Sequence, residues 1–198
     1  MNLLLSLLVV SALHSAPAVP PEPVPRELTA LKASLARTQK LSARFKQTRH
    51  WTALQDALVS EGSIQYQKGG KLVWHTEPPA ENELILEGKT VTIRYPGLGT
   101  TQTLDTSADP GMAKVFECIT AVLQADLERL QPLFELSIER KAPLGLALKP
   151  RTKELSQVIQ GIRLSFDEKL RLTHIVLEES SGDRTEIDFH GHVMEESK

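Results

Sequence analysis

Leu41, Ala43 and Phe45 alternate with Ser42, Arg44 and Lys46. A period of two is the spacing of a strand with one buried and one solvated face. The alternation returns over Leu58–Gln67, Lys71–Thr76, Glu83–Glu87, Thr90–Tyr95 and Thr101–Asp105. Gly69-Gly70, Pro78-Pro79, Gly88-Lys89 and Pro96-Gly97-Leu98-Gly99 separate these runs and supply turn chemistry. Connections this short predict an antiparallel meander, because parallel neighbours need long crossovers. More strands are predicted at Phe134–Glu139, Leu144–Leu148, Val158–Phe166, Leu170–Glu179 and Arg184–Phe189, about eleven in all.

Helical spacing interrupts the strands. Glu27–Gln39 carries Leu28, Leu31 and Leu35 on one narrow stripe. Asp109-Pro110 reads as an N-cap with Pro at the first helical position, followed by a strong apolar face of Met112, Val115, Phe116, Ile119, Val122 and Leu123. Asp126 is expected to cap a short helix with Leu127 and Leu130 inward, ended by Pro132, and Lys153–Gln157 a helical turn. A wide, twisted sheet curls, and its apolar face needs a cover that so few helices cannot complete. The apolar face is therefore expected to line a cavity. Its candidate wall is Phe45, Ile64, Tyr66, Leu72, Trp74, Leu84, Leu86, Val91, Ile93 and Tyr95, joined by Leu136, Ile162 and Leu164. Leu28, Leu31, Leu35, Met112, Val115, Phe116, Ile119 and Leu123 are the candidate lid.

Composition narrows the class. The chain has 198 residues, 40% hydrophobic and 24% charged, and a net charge of -2. That suits one globular domain and lacks the basic balance of a nucleic-acid binder. The start, "MNLLLSLLVVSALHSAPA", reads as a secretory signal: an apolar core at Leu3–Leu13, then Ala16-Pro17-Ala18 as the small-x-small cleavage pattern. The expected division is a signal over 1–18, a Pro-rich lead-in over 19–26 and one domain over 27–193. Cys118 is the single cysteine, so an intramolecular disulfide is excluded, and it lies far from the cleavage region where a lipid-modified cysteine would stand. A soluble periplasmic protein is expected.

No catalytic pattern emerges. There is no G-x-S-x-G elbow and no H-E-x-x-H, and Gly97-Leu98-Gly99 opens no helix. His190-Gly191-His192 is read as a solvated tail, and Glu178-Glu179 and Glu195-Glu196 as solvated pairs whose members point to opposite faces. The expectation is a binding protein, not an enzyme, with no cofactor and no metal.

The order of "ARFKQTRHW" (Ala43–Trp51), "SEGSIQYQKGGKLVWHTEPP" (Ser60–Pro79), "ILEGKTVTIRYPGLGTTQTLD" (Ile85–Asp105) and "LALKPRTKELSQVIQGIRLSF" (Leu146–Phe166) resembles the periplasmic outer-membrane lipoprotein carrier family, LolA. Phe45-x-Gln47, Gly62, Trp74 and Gly88-Lys89 before a strand ending in Tyr95 carry the likeness. The resemblance implies a mainly β fold with α: an incomplete, unclosed antiparallel β-barrel covered by a helical lid. It implies a cavity for acyl chains, with an acylated lipoprotein or other lipid as cargo. The implied partners are an inner-membrane ATP-driven releasing complex and an outer-membrane receptor, with the carrier a monomer. The chain departs from the pattern at Lys68-Gly69-Gly70-Lys71, where carriers have Arg-Pro and the Arg hydrogen-bonds the lid helices. It also stops soon after Phe189, where the family has an extra C-terminal strand. "TRHW", "LKPRTKEL" and "EESSGDRTEI" look more like the shorter LolA-like proteins found with aryl-polyene or other lipid biosynthesis genes. The alternative is thus a non-shuttling lipid-binding accessory of such a system.

Overall fold

Each predicted alternation forms a strand in the computed structural model, which describes residues 25–105, 120–121 and 126–197. The strands are β1 (Thr38–His50), β2 (Leu58–Gln67), β3 (Lys71–Thr76), β4 (Asn82–Glu87), β5 (Thr90–Tyr95), β6 (Thr100–Asp105), β7 (Phe134–Lys141), β8 (Leu144–Pro150), β9 (Ile159–Phe166), β10 (Leu172–Glu179) and β11 (Arg184–Glu196). They form one antiparallel sheet in the order β6-β5-β4-β3-β2-β1-β11-β10-β9-β8-β7, which is not closed. Two meanders meet where β1 pairs with β11. The described helices are α1 (Arg26–Arg37), α2 (Leu127–Leu130) and α3 (Lys153–Ser156). Thr120 and Ala121 are helical too. The expected signal and lead-in up to residue 24, the lid residues Met112, Val115, Phe116, Ile119 and Leu123, and Cys118 lie outside the described residues.

Local chemistry sets the helix ends. Leu28 and Thr29 N–H groups both donate to the Pro25 carbonyl at 3.1 Å, starting α1 without a side-chain cap. Leu28 and Leu31 turn inward and are buried. The helix stops two residues short of the predicted end, because Thr38 and Gln39 already belong to β1. Asp126 caps α2 as expected: its side chain accepts from the Arg129 N–H at 3.3 Å, and Leu127 and Leu130 are buried.

One correction concerns the C-terminal segment. His190-Gly191-His192 is no solvated tail: β11 runs on to Glu196, paired with β1. A register shift between Ser42 and Arg44 absorbs Gly191, whose φ of 63° lies in the left-handed region that glycine tolerates. The carboxylates are also engaged. Glu178 bonds Arg163 at 2.6 Å, Glu179 bonds Arg49 at 3.3 Å, Glu195 lies 2.9 Å from Lys40 and Glu196 lies 3.4 Å from Arg37.

The convex face keeps the polar half of the alternation, in cross-strand pairs such as Arg44–Glu77 and Arg94–Glu83. The Arg44 hydrogen bonds lower the Glu77 pKa from its ordinary value and the same bonds raise that of Arg44. The concave face holds the core. At its centre Gly62, on β2, faces Phe45 on β1. A side chain at residue 62 would place its Cβ 2.0 Å from the His75 carbonyl oxygen and 2.6 Å from the Phe45 ring. With that space free, the Phe45 ring reaches across β2 to Trp74, centroid to centroid 4.1 Å, and Trp74 meets Phe189 edge-on at 6.3 Å. Replacing Gly62 with Ala is expected to cost about 1–3 kcal/mol, as overpacking against backbone cannot relax by a rotamer change. Denaturant unfolding of the variant measures it, and an unchanged midpoint would contradict this packing.

Candidate functional site

Burial divides the concave face into two unlike wings. On β7 to β10 the inward residues Phe134, Leu144, Leu146, Leu148, Ile162, Leu164, Phe166 and Ile175 are buried. On β3 to β5 the inward residues Leu72 and Val91 are buried, but Trp74, Leu84, Leu86, Ile93 and Tyr95 are only half-buried, and on the edge strand β6 Leu104 is 38% exposed. Register confirms that these residues share a face. Trp74 lies opposite Leu84, Leu84 opposite Ile93, Leu86 opposite Val91, and Val91 opposite Leu104. The β3–β6 wing is therefore an apolar wall, partly in contact with water.

The thirteen residues expected to line a cavity follow this division except at Leu72 and Val91, which are buried on the β3–β6 wing, and Leu136, which is half-buried on β7. Tyr66, Trp74, Leu84, Leu86, Ile93, Tyr95 and Leu136 are half-buried. Phe45, Ile64, Leu72, Val91, Ile162 and Leu164 are buried, and five of these six pack in the continuous core, Val91 standing apart from it. The lid candidates on α1 lie over the sheet: Leu28 and Leu31 belong to that core and Leu35 packs against it.

The cover is tied down by polar contacts. Lys32 of α1 bonds Glu128 of α2, so the two helices are coupled, and Lys141 of β7 lies 3.7 Å from Glu27 of α1. The Lys32 hydrogen bond lowers the Glu128 pKa. Lys68 donates from Nζ to the Ala36 carbonyl at 2.8 Å, near the C-terminal end of α1, where an exposed helix carbonyl welcomes a cation. The segment that departs from the carrier pattern thus still holds a covering helix through a lysine. Arg151 does similar work for α2. Its Nε donates to the carbonyls of Gln131 at 2.9 Å and Phe134 at 3.0 Å, fixing the passage from α2 into β7. Sequence reasoning passed over Arg151, since a lone Arg after a proline carries no pattern that predicts its carbonyl partners.

At one end of the sheet, Arg49 packs over the Trp51 ring at 5.0 Å, and Asp183 accepts from the Thr52 N–H at 2.9 Å and hydroxyl at 3.0 Å. The backbone bond from Thr52 holds the Asp183 pKa below the ordinary carboxylate value. At the opposite end a cleft of about 260 Å³ opens between α1, α2 and the sheet. Tyr66 lines it, and burial pushes the Tyr66 phenol up, keeping it neutral. No group of three or more metal-ligating side chains occurs among the described residues. No described helix is long and apolar enough to cross a membrane. What this arrangement offers chemically is apolar area under a cover held by a few replaceable polar bonds.

The architecture is an unclosed antiparallel sheet with a partly water-exposed apolar wing. The chain matches the family described as "Outer membrane lipoprotein carrier protein LolA" over residues 36–197, and it belongs to that family. It is 28% identical over 191 residues to the outer-membrane lipoprotein carrier protein of Pseudomonas entomophila, covering 93% of this chain and 86% of that one. It is 30% identical to the protein of the same name from Azotobacter vinelandii, covering 87% and 80%. Among solved structures it is similar to a LolA superfamily protein from Nitrosomonas europaea, with a TM-score of 0.45 and 9% identity over 87% of this chain and 94% of that one.

Substituting Lys68 by Ala is expected to weaken α1 docking by about 0.5–1 kcal/mol, the scale of a cation at a helix C-terminus, while Arg preserves it. Faster amide hydrogen exchange in Arg26–Arg37 of the Ala variant would show this; identical exchange would refute it.

Proposed function

We propose that this chain is a periplasmic carrier that takes up acyl chains of a lipoprotein, or of a related lipid, on the concave face of its sheet and moves them between the inner and outer membranes. One observation carries the reading: Trp74, Leu84, Leu86, Ile93 and Tyr95 form a contiguous apolar wall that the protein's own side chains leave half-covered. A core whose purpose is stability alone buries such residues, as most of the opposite wing does. Each methylene kept from water is worth ~0.8 kcal/mol, so a few chain segments seated on this wall offset the polar bonds that hold the cover down. The names of the curated relatives support the cargo class. Membership of the carrier family supports binding rather than catalysis.

The thirteen wall residues and the eight lid residues, including Met112, Val115, Phe116, Ile119 and Leu123, remain the proposed binding machinery. The releasing complex of the inner membrane and the receptor of the outer membrane are its proposed partners, with the secretory signal at 1–18 delivering the chain to the compartment between them.

Transfer of a fluorescent lipopeptide between two vesicle populations tests the function directly. The wild type is expected to accelerate transfer. Binding without acceleration would favour the non-shuttling accessory role, and no binding at all would end the acyl-carrier reading. Leu84→Glu and Ile93→Glu sit on the half-open wing, so both variants are expected to fold and to lose uptake at least tenfold, a charge on a lipid-contacting surface being costly to desolvate. Normal uptake by both would remove this wall from the site.

A further inference from the structure

An open sheet has two edges, and the two edges of this one are built differently. An edge strand offers a row of N–H and carbonyl groups to any extended chain, so proteins blunt it with charges, proline or a bulge. The β7 edge is blunted in this way. Glu135, Glu139, Arg140 and Lys141 are exposed on it, a register shift falls between Ile138 and Arg140, and Lys141 lies 3.7 Å from Glu27 of the covering helix α1. The β6 edge lacks these devices. Thr100–Leu104 reads Thr-Thr-Gln-Thr-Leu, without charge or proline, and pairs with β5 in an unbroken register. All six residues of β6 are exposed. Among the described residues the ladder of β6 runs to β5 alone, so the alternate backbone groups of Thr100–Leu104 point away from the sheet.

A second observation says what kind of chain fits there. β6 is the outer strand of the half-open wing. Leu104 lies opposite Val91, Gln102 opposite Ile93 and Thr100 opposite Tyr95, so the inward positions of β6 continue the proposed wall and turn polar at its rim. A strand added at this rim would lie two strand spacings from β5, about 10 Å. That is within reach of the head of an alkyl chain seated on Leu84 and Ile93. In a lipoprotein, the group joined to the acylated residue is polypeptide. Its side chains differ from one lipoprotein to the next, and its backbone does not. The neutral side chains of Thr100–Leu104 neither attract nor repel a charge on an incoming chain. Two copies of this protein paired through β6 would join only six residues a side, far fewer than a stable dimer needs. A tethered peptide escapes that limit, because the acyl anchor makes its pairing intramolecular.

We propose that β6 is a docking strand for cargo polypeptide: the extended segment joined to the acylated residue of a lipoprotein adds to Thr100–Leu104 as one further strand of the sheet. Recognition is by backbone hydrogen bonds and is independent of the cargo's sequence, proline excepted. The inference rests on the acyl-carrier reading, since the seated acyl chain supplies the local concentration, and it adds a separate site for the protein part of the cargo.

The test follows amide hydrogen exchange by NMR in the full mature chain. Its probes are a palmitoylated peptide of neutral residues long enough to span β6, the same lipopeptide with alternate backbone nitrogens methylated, and methyl palmitate, which has no peptide. The lipopeptide is expected to slow exchange about tenfold at alternate residues of Thr100–Leu104, and a version with its residues reordered to do the same. Methyl palmitate is expected to bind and leave β6 exchange unchanged. The methylated lipopeptide is expected to bind about tenfold more weakly than its parent, the scale of one or two lost backbone hydrogen bonds, and to give no protection of β6. A lipopeptide that binds without protecting β6 overturns the docking strand and leaves the carrier reading standing. Equal protection by the methylated probe or by methyl palmitate, or protection that depends on the order of residues, does the same. Protection that grows with protein concentration in the absence of probe assigns the edge to a second copy and also overturns it. If no acyl probe binds, the carrier reading falls and this inference with it.

Discussion

The Phe45 ring lies where a side chain at residue 62 would be, and the organisation of the concave face depends on that exclusion. Because Gly62 has no Cβ, the ring crosses β2 and stacks against Trp74. Phe189 of β11, paired with Phe45, then meets Trp74 edge-on. Three aromatic side chains from three strands thereby seal the middle of the sheet where its two meanders meet. Gly62, Phe45 and Trp74 are residues on which the family likeness rests, and their shared role is this one contact.

Once the middle is sealed, the two wings differ in what covers them. Leucines of β8, alternating with Phe134, Leu164 and Phe166, fill the β7–β10 side. The β3–β6 side ends in an edge strand whose six residues are all exposed. Apolar surface left in partial contact with water costs stability, and such patches are typical of surfaces that bind something apolar. Trp74 stands on the boundary, packed against the sealed centre and opposite Leu84 of the open wing.

The helical cover is attached by contacts that stabilise without being irreplaceable. Lys32–Glu128 is well exposed, and exposed pairs of this kind contribute little net stability. Lys68 reaches the α1 carbonyl with a single ammonium where an arginine would present a planar fork. Where the resemblance implies Arg-Pro, Lys68 holds α1 through the Ala36 carbonyl.

The alternation of side chains determined the strands and the set of inward residues, because a period of two leaves each residue only one face to occupy, and the short turns between them determined the antiparallel pairing. The Asp126 cap and the inward Leu127 and Leu130 were legible for the same local reason. Which inward residues are sealed and which are left half-open was decided by tertiary structure. Phe45 and Trp74 have the same parity, yet one is buried and the other is not, and only the order of strands across the sheet separates them. The strand through His190–His192 was likewise hidden, since its polar residues alternate too weakly to announce a partner, and pairing with β1 supplies the bonds that hold it. Contacts such as Lys68 with Ala36 and Arg151 with Gln131 join side chains to backbone carbonyls, groups every residue carries and no pattern marks; only folding brings them within bonding distance.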